Sequence, residues 1–232
     1  MPNKPYTPKG SGRRSSAQTA RNAAVSLLQN LTRGNQQLTV QIDGQLLVLP
    51  QALALAEQKL QAGQAQAAHH VYQQLLEQAA EWHRAKRLDD AEAVYRQVFE
   101  AQPGYIDALH LLGVIYSQRN DHVTSERLIR QALRENPRAD TYQNNLGKAL
   151  QGQGRLEEAA DCYRRTLELN PEHVLACNNL GKIHAELGQW NEAVATFRRA
   201  VALRPDFNEA RRNLEDALQR WNEQEADSAQ SD

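Results

Sequence analysis

The sequence is poor in the residues that build disulfide frameworks and membrane spans. Its 232 residues include only 2 cysteines, Cys162 and Cys177, which are too few for a disulfide framework or a metal cluster. No apolar run approaches the roughly 20 residues that a membrane-spanning helix needs. The N-terminal region also lacks the apolar stretch and small-residue cleavage site of a secretory signal. These absences predict a cytoplasmic protein in a reducing compartment.

Motifs for catalysis and for cofactor binding are also lacking. The sequence contains no GxxxxGK phosphate loop, no GxGxxG dinucleotide motif and no GxSxG nucleophile motif. Its 7 histidines show no HExxH spacing, and no cysteine pair lies at zinc-site intervals. The sequence therefore predicts a protein that is not an enzyme, with no catalytic residue, no cofactor and no bound metal. The two cysteines are expected to act as small apolar fillers.

Acidic residues are absent before Asp43, although the chain as a whole has a net charge of -1. Residues 1–16 are rich in proline, glycine, serine and positive charge, which predicts a flexible basic tail. Such a tail could be a solvated extension, an anchor for nucleic acid or an anionic surface, or a docking arm for an acidic partner. Arg13-Arg14 is short for a nucleic-acid patch and has no interleaved aromatic residues, so the solvated extension is favoured.

Residues 17–49 predict a helix followed by a β-hairpin. The helix rests on the spacing of apolar residues in 17–32. In the hairpin, Leu38, Val40 and Ile42 alternate with polar residues before Asp43-Gly44, a dipeptide that favours a type I′ turn. The hairpin could offer an exposed edge to a partner or to a second copy of the chain, or it could cover the apolar end of the first helices.

Three rows of residues recur along the chain at a spacing of 34. They are the prolines Pro103, Pro137, Pro171 and Pro205, the glycines Gly113, Gly147 and Gly181, and the small residues Ala91, Ser125, Ala159 and Ala193. A fixed period of this length is typical of a helix pair that is repeated and stacked, because one pair cannot bury its apolar stripe alone. The prolines are expected to end the second helix of each pair, and the glycines to lie where two helices cross closely.

This period divides the rest of the chain into segments. Residues 50–71 are expected to form a divergent helix pair that caps the array, and residues 72–221 to form regular units at 72–105, 106–139, 140–173 and 174–207 with a final amphipathic helix at 208–221. Residues 222–232 carry four acids and no base, and are expected to be a frayed acidic tail.

These repeats resemble the tetratricopeptide repeat family over about two thirds of the chain. The segments NNLG, EAADCYRRTLELNP and EAVATFRRAVALRP are further similar to the repeats of bacterial relatives of O-linked N-acetylglucosaminyl transferases. The resemblance implies an all-α fold, a right-handed superhelix of antiparallel helix pairs whose first helices line a concave groove for peptides or partner helices. Those transferases carry a large catalytic region after the repeats, and this chain has none before it stops at Asp232, so no transferase activity is expected.

The resemblance also places particular side chains in the groove. The predicted peptide-binding residues are Asn144, Asn145, Asn178, Asn179, Asn213, Lys148, Lys182 and His110. A carboxamide can pair with the N–H and C=O of an extended peptide whatever its side chains, while the two lysines would favour acidic segments. Each asparagine could instead bridge neighbouring helices.

The sequence thus predicts a non-catalytic scaffold or adaptor that binds a peptide or helix of a partner protein in the groove. Two alternatives remain open. The chain could be a regulatory or targeting subunit of a separate enzyme such as a glycosyltransferase, which a neighbouring gene for a catalytic chain without repeats would favour. It could also be a structural protein that self-assembles through the hairpin.

Overall fold

The structure, a computed structural model, describes residues 38–231. Two predictions lie outside these residues: the basic tail at 1–16 and the helix within 17–32. In the described part, two strands precede ten helices. The elements are β1 Thr39–Ile42, β2 Gln45–Val48, α1 Leu49–Gln61, α2 Ala65–Arg84, α3 Leu88–Ala101, α4 Ile106–Gln118, α5 His122–Glu135, α6 Asp140–Gly152, α7 Leu156–Leu169, α8 Val174–Glu186, α9 Trp190–Leu203 and α10 Asn208–Ser231.

Consecutive helices pack against each other from α1 to α10. The helices α4, α6, α8 and α10 also contact one another in sequence, so they form one row of the stack. We call α4, α6 and α8 the first helices and α5, α7 and α9 the second helices of their pairs. The predicted all-α solenoid with a short N-terminal hairpin is confirmed.

Helix ends follow the 34-residue period. The helices α3, α5, α7 and α9 each end two residues before a proline of the periodic row, because proline has no N–H to continue the hydrogen-bond ladder. The turns inside the pairs have left-handed residues at the same spacing: Lys86, Asn120, Gly154 and Gly188 have φ of 63°, 63°, 75° and 70°. Asparagine tolerates this conformation better than most residues, which explains how Asn120 occupies a glycine position.

The periodic glycines lie where the helices of a pair cross. A Cβ added at Gly147 would come within 2.7 Å of the Tyr163 ring, and one at Gly181 within 2.6 Å of the Phe197 ring. Both rings are buried between the two rows of helices. The close crossing predicted from the small residues is therefore confirmed.

The hairpin lies against the first two helices. Asp43 and Gly44 have φ of 49° and 80°, the positive values that a type I′ turn needs. Val40 and Ile42 are buried in the core, and β1 contacts both α1 and α2. The outer edge of β1 is occupied by glutamines of α2, since the Gln78 Oε1 atom accepts a hydrogen bond of 3.0 Å from the Gln41 N–H. This packing agrees with the interpretation that the hairpin covers the apolar end of α1 and α2. Pairing of the hairpin with a second copy of the chain remains a prediction.

Two of the predicted segment ends differ from the structure. The boundary between residues 71 and 72 falls inside the continuous helix α2, which has no glycine or proline to interrupt it and buries both Val71 and Tyr72. The final helix continues to Ser231 instead of ending at Trp221. Side-chain pairs support this extension, since Gln219 donates to Glu223 at 2.8 Å and Arg220 lies 3.5 Å from the same carboxylate.

In the described part of the chain, no helix is both long and apolar enough to cross a membrane.

Candidate functional site

The predicted asparagines bridge successive first helices. The Asn179 Nδ2 atom of α8 donates to the Asn144 Oδ1 atom of α6 at 3.1 Å. One repeat later, Asn213 Nδ2 of α10 donates to Asn178 Oδ1 of α8 at 2.9 Å. We call these four residues and Asn145 the asparagine ladder. These hydrogen bonds link α6 to α8 and α8 to α10.

Burial divides the ladder into two groups. Asn144 and Asn178 are only 3% and 2% exposed, because their position on each first helix faces the next helix of the row. Asn145, Asn179 and Asn213 are partly exposed. The Oδ1 atoms of Asn179 and Asn213 accept no hydrogen bond from residues 38–227, so they are free to accept one from a ligand.

His110 of α4 continues the ladder towards the N-terminus. Its ring is 4% exposed and stacks on Tyr142 with a centroid distance of 4.1 Å. The Asn145 Nδ2 group lies 2.9 Å from His110 Nε2, and an amide N–H can donate there only if the ring is neutral. Burial lowers the pKa of His110 to about 4, against the opposing effect of the nearby Asp107 carboxylate. His110 is therefore a buried neutral partner of Asn145.

The two predicted lysines differ in their surroundings. Lys182 Nζ lies 3.6 Å from Glu209 Oε1, and the same carboxylate oxygen accepts a hydrogen bond of 3.1 Å from Asn178. Lys148 is exposed and has no hydrogen bond or ion pair within residues 38–227. Its ammonium group is the more available of the two for an anionic ligand.

A pocket of about 350 Å³ opens between the first helices. Four of the eight predicted residues line it, namely Asn145, Lys148, Asn179 and Lys182. The wall also contains Val114 of α4 and the side chains or backbone of Ser117, Gln118, His122, Ile129, Gln151 and Gly152. We call the pocket and the adjoining surface of α4, α6 and α8 the first-helix groove. Leu175, which is 46% exposed, lies on it one turn before Asn179.

Sequence reasoning missed the floor of this pocket. His122 begins α5, and a Cβ at Gly152 would overlap the His122 ring, so the ring lies directly on the backbone of α6. The signal was present in the period, because the residues 34 positions before and after His122 are Leu88 and Leu156. His122 therefore replaces a leucine at this repeat position, and this departure distinguishes its unit from the neighbouring units.

The cysteines lie outside the groove and are unpaired. Cys177 is buried and Cys162 half-buried, and burial raises the pKa of Cys162 to about 11. Among the residues that the structure describes, no three histidine, cysteine or carboxylate side chains lie close enough together to hold a metal ion.

Family models support the repeat assignment. Two models described as "Tetratricopeptide repeat" match residues 83–149 and 144–206. Among curated proteins, "Tetratricopeptide repeat protein 7A" of Homo sapiens is 26% identical over 76 residues, which are 33% of this chain and 9% of that protein. This chain therefore aligns with less than a tenth of the relative's length. The finer resemblance to transferase repeats has no support in these matches and stays a prediction.

Solved structures share the fold. A thermophilic TPR protein of Thermus thermophilus, TTC0263, superimposes with a TM-score of 0.57 and 21% identity, covering 63% of this chain and 80% of that one. "YrrB: a TPR protein with an unusual peptide-binding site" gives a TM-score of 0.52 and 18% identity, covering 68% and 88%. At these identities the likeness concerns the fold alone.

Proposed function

Because the chain belongs to the tetratricopeptide repeat family over residues 83–206, we propose that it is a non-catalytic scaffold that binds an extended peptide or a helix of a partner protein. The binding surface is the first-helix groove, which corresponds to the concave side of the solenoid. Asn145, Asn179 and Asn213 contact the peptide backbone, and Lys148 and Lys182 select its charge. Asn144, Asn178 and His110 hold these side chains from below.

The observation that carries this proposal is the pocket between the first helices. It brings residues of the three first helices and of α5 to one opening, so a single bound segment can touch several repeats at once. A volume of about 350 Å³ lies in the range of small ligand sites. It is sufficient for side chains of a peptide that otherwise runs along the surface.

The unoccupied acceptors of the asparagine ladder support recognition of a peptide backbone. The Asn179 and Asn213 side chains use their Nδ2 groups between helices and leave Oδ1 for an incoming N–H. Successive ladder residues lie one repeat apart, so they can accept from separated peptide groups along an extended segment. Because these hydrogen bonds involve the peptide backbone, they can form with peptides of many different sequences.

One solved relative of the fold, YrrB, is described as having an unusual peptide-binding site. That description supports peptide binding as the kind of function that this fold performs. It does not name the ligand of this chain.

Panning a phage-displayed library of random dodecapeptides on the full chain provides the ligand for a test. A selected peptide is then titrated against Leu175→Arg, which places a long charged side chain on the groove. We expect this variant to weaken binding at least about tenfold, which corresponds to roughly 1.4 kcal/mol.

Leu203→Arg is the matched control. Leu203 is 37% exposed and ends the second helix α9, so the same substitution there should leave the affinity within about twofold, or roughly 0.4 kcal/mol. Equal effects of the two variants, or a library that yields no binding peptide, would contradict the proposal. Circular dichroism checks that both variants remain folded.

A further inference from the structure

The repeats allow an internal comparison of the pocket floor. His122 and Gly152 are 30 residues apart, and the pairs at the corresponding positions of the neighbouring units are Leu88 with Gln118 and Leu156 with Glu186. In this one unit a polar ring replaces an apolar side chain, and a glycine replaces a long side chain. The exchange removes bulk from the end of α6 and puts a polar ring in the floor.

The His122 ring is incompletely paired. Its Nδ1 atom is buried and has no hydrogen-bond partner among the residues that the structure describes. A buried polar atom without a partner costs free energy. The ring packs against the backbone of α6 at Gly152, and His122 is one of the residues that line the pocket.

Charge determines which polar group fits. Of the residues in the described range, two lysines and no carboxylate line the pocket, and Lys148 has no ion pair within residues 38–227. The side-chain amide nitrogens around the opening already have partners, whereas the Asn179 Oδ1 atom is a free acceptor. Gln151 donates to Glu186 at 2.8 Å, and Gln118 lies 2.8 Å from a ring nitrogen of His83. The Lys148 ammonium is therefore the main free donor that the described residues place at the opening.

Apolar groups complete the wall. Val114 of α4 and Ile129 of α5 both contribute to the pocket. They can pack against the methylene groups of a ligand side chain while its charged end reaches Lys148. The combination suits an aliphatic side chain that ends in an anion.

From this geometry we propose that the pocket is a subsite for an aspartate or glutamate side chain of the bound peptide, with Lys148 as the ion-pair partner and His122 over Gly152 as the floor. The inference rests on the proposed function, since it names the ligand chemistry of the same groove. Lys182 adds positive charge at the opening, although its ammonium group also lies 3.6 Å from the Glu209 carboxylate.

The test uses peptides selected from the random dodecapeptide library on the full chain. We expect the selected sequences to share an acidic residue at one position. Changing that residue to the matching amide should weaken binding to the unmodified chain about tenfold. The same peptide change should cost no more than about twofold in Lys148→Ala, because the two changes remove the same ion pair.

The double variant His122→Leu with Gly152→Gln provides the second measurement. It places in this unit the pair of residues found at positions 88 and 118 of the preceding unit, so it fills the pocket with side chains that the repeat accommodates. We expect it to lose the preference for the acidic peptide over its amide form. Lys59→Ala, on α1 and away from the groove, should retain that preference.

The outcomes separate the two proposals. Peptides that bind the groove without a shared acidic residue would overturn the subsite and leave the scaffold proposal intact. The subsite also fails if the acidic-to-amide change costs the same in Lys148→Ala as in the unmodified chain. A library without any binding peptide would contradict both proposals.

Discussion

At the scale of single residues, the groove depends on buried polar groups that are paired with one another. The buried His110 and Tyr142 form one such set with the exposed Asp107, since the His110 ring stacks on Tyr142 and the Tyr142 hydroxyl donates to the Asp107 carboxylate. Burial and this hydrogen bond raise the pKa of Tyr142. Groups of this kind support a rigid helix interface only while each keeps its protonation state.

His110 makes the stability of the protein sensitive to acid. Its pKa is about 4 in the folded chain, compared with 6.5 for an ordinary histidine. The unfolded chain therefore binds a proton first as the pH falls, and stability declines between about pH 6.5 and pH 4. From the cited pKa values, His110 alone should lower the free energy of unfolding by roughly 2 kcal/mol between pH 7.5 and pH 4.5.

Urea unfolding across this pH range checks the prediction. His110→Gln should show a smaller decline than the unmodified chain, although not a zero decline, because burial also lowers the pKa of His83. His70→Gln is the control, since the His70 side chain is 58% exposed. An identical pH dependence in His110→Gln and the unmodified chain would show that His110 does not carry this effect.

The asparagine ladder shows what the sequence could and could not predict at this scale. The resemblance to the tetratricopeptide repeat family predicted the asparagine positions on the first helices, and the alternative interpretation of each asparagine as a bridge matches the hydrogen bonds observed. The spacing could not tell which amide of each adjacent pair is buried. That depends on the rotation of each helix about its axis, which places Asn144 and Asn178 between helices and leaves Asn145 and Asn179 partly exposed.

At the scale of elements, the hairpin takes the place of a preceding helix pair. Val40 and Ile42 face the core, and the Gln74 and Gln78 side chains of α2 accept hydrogen bonds from the backbone of β1 and its turn. Terminal units of a repeat array need such a cover, because their outer face has no neighbour. The hairpin is therefore expected to stabilise α1 and α2 in particular.

Hydrogen exchange tests this local role. Ile42→Ala removes a side chain that is 2% exposed and should destabilise the N-terminal end by about 2 to 4 kcal/mol. Because repeat arrays open locally, amides of α1 and α2 should exchange faster while those of α8 stay unchanged. Leu46→Ala, at a hairpin residue that is 75% exposed, is the control. An equal acceleration in α8 would contradict a local cap.

The sequence predicted the periodic elements better than the irregular ones. The periodic prolines follow the ends of α3, α5, α7 and α9, and Gly154 and Gly188 follow the ends of α6 and α8, since both residue types act through the local backbone. Between Gly63 and Pro103 the sequence has neither residue type, so the proposed division at residue 71 had no local signal and cut through α2. Packing that buries both Val71 and Tyr72 accompanies the continuous helix there.

At the scale of the whole molecule, α4, α6, α8 and α10 form one row, and the surface of this row runs along the stack. The first helices contribute to it at every repeat, and the hairpin and α10 cover the two ends. The outer side of α10 carries charged residues such as Arg211, Arg212 and Glu215, which suits a helix that faces water.

The groove could be predicted only in part. The period predicted where the helices lie, and the family resemblance predicted which of their polar residues line the groove. The pocket arises from a departure from the repeat pattern, the pairing of His122 with Gly152. Its depth depends on contacts between different units, which become visible only when the units are placed side by side.

Photocrosslinking shows which helices contact a bound peptide. A selected dodecapeptide with benzoylphenylalanine at its centre is irradiated with the full chain, and the adducts are located by mass spectrometry. We expect adducts on α4, α6 and α8, suppressed by an excess of the unmodified peptide. Competed adducts on α5, α7 or α9, or on the hairpin, with the first helices unlabelled, would contradict this expectation.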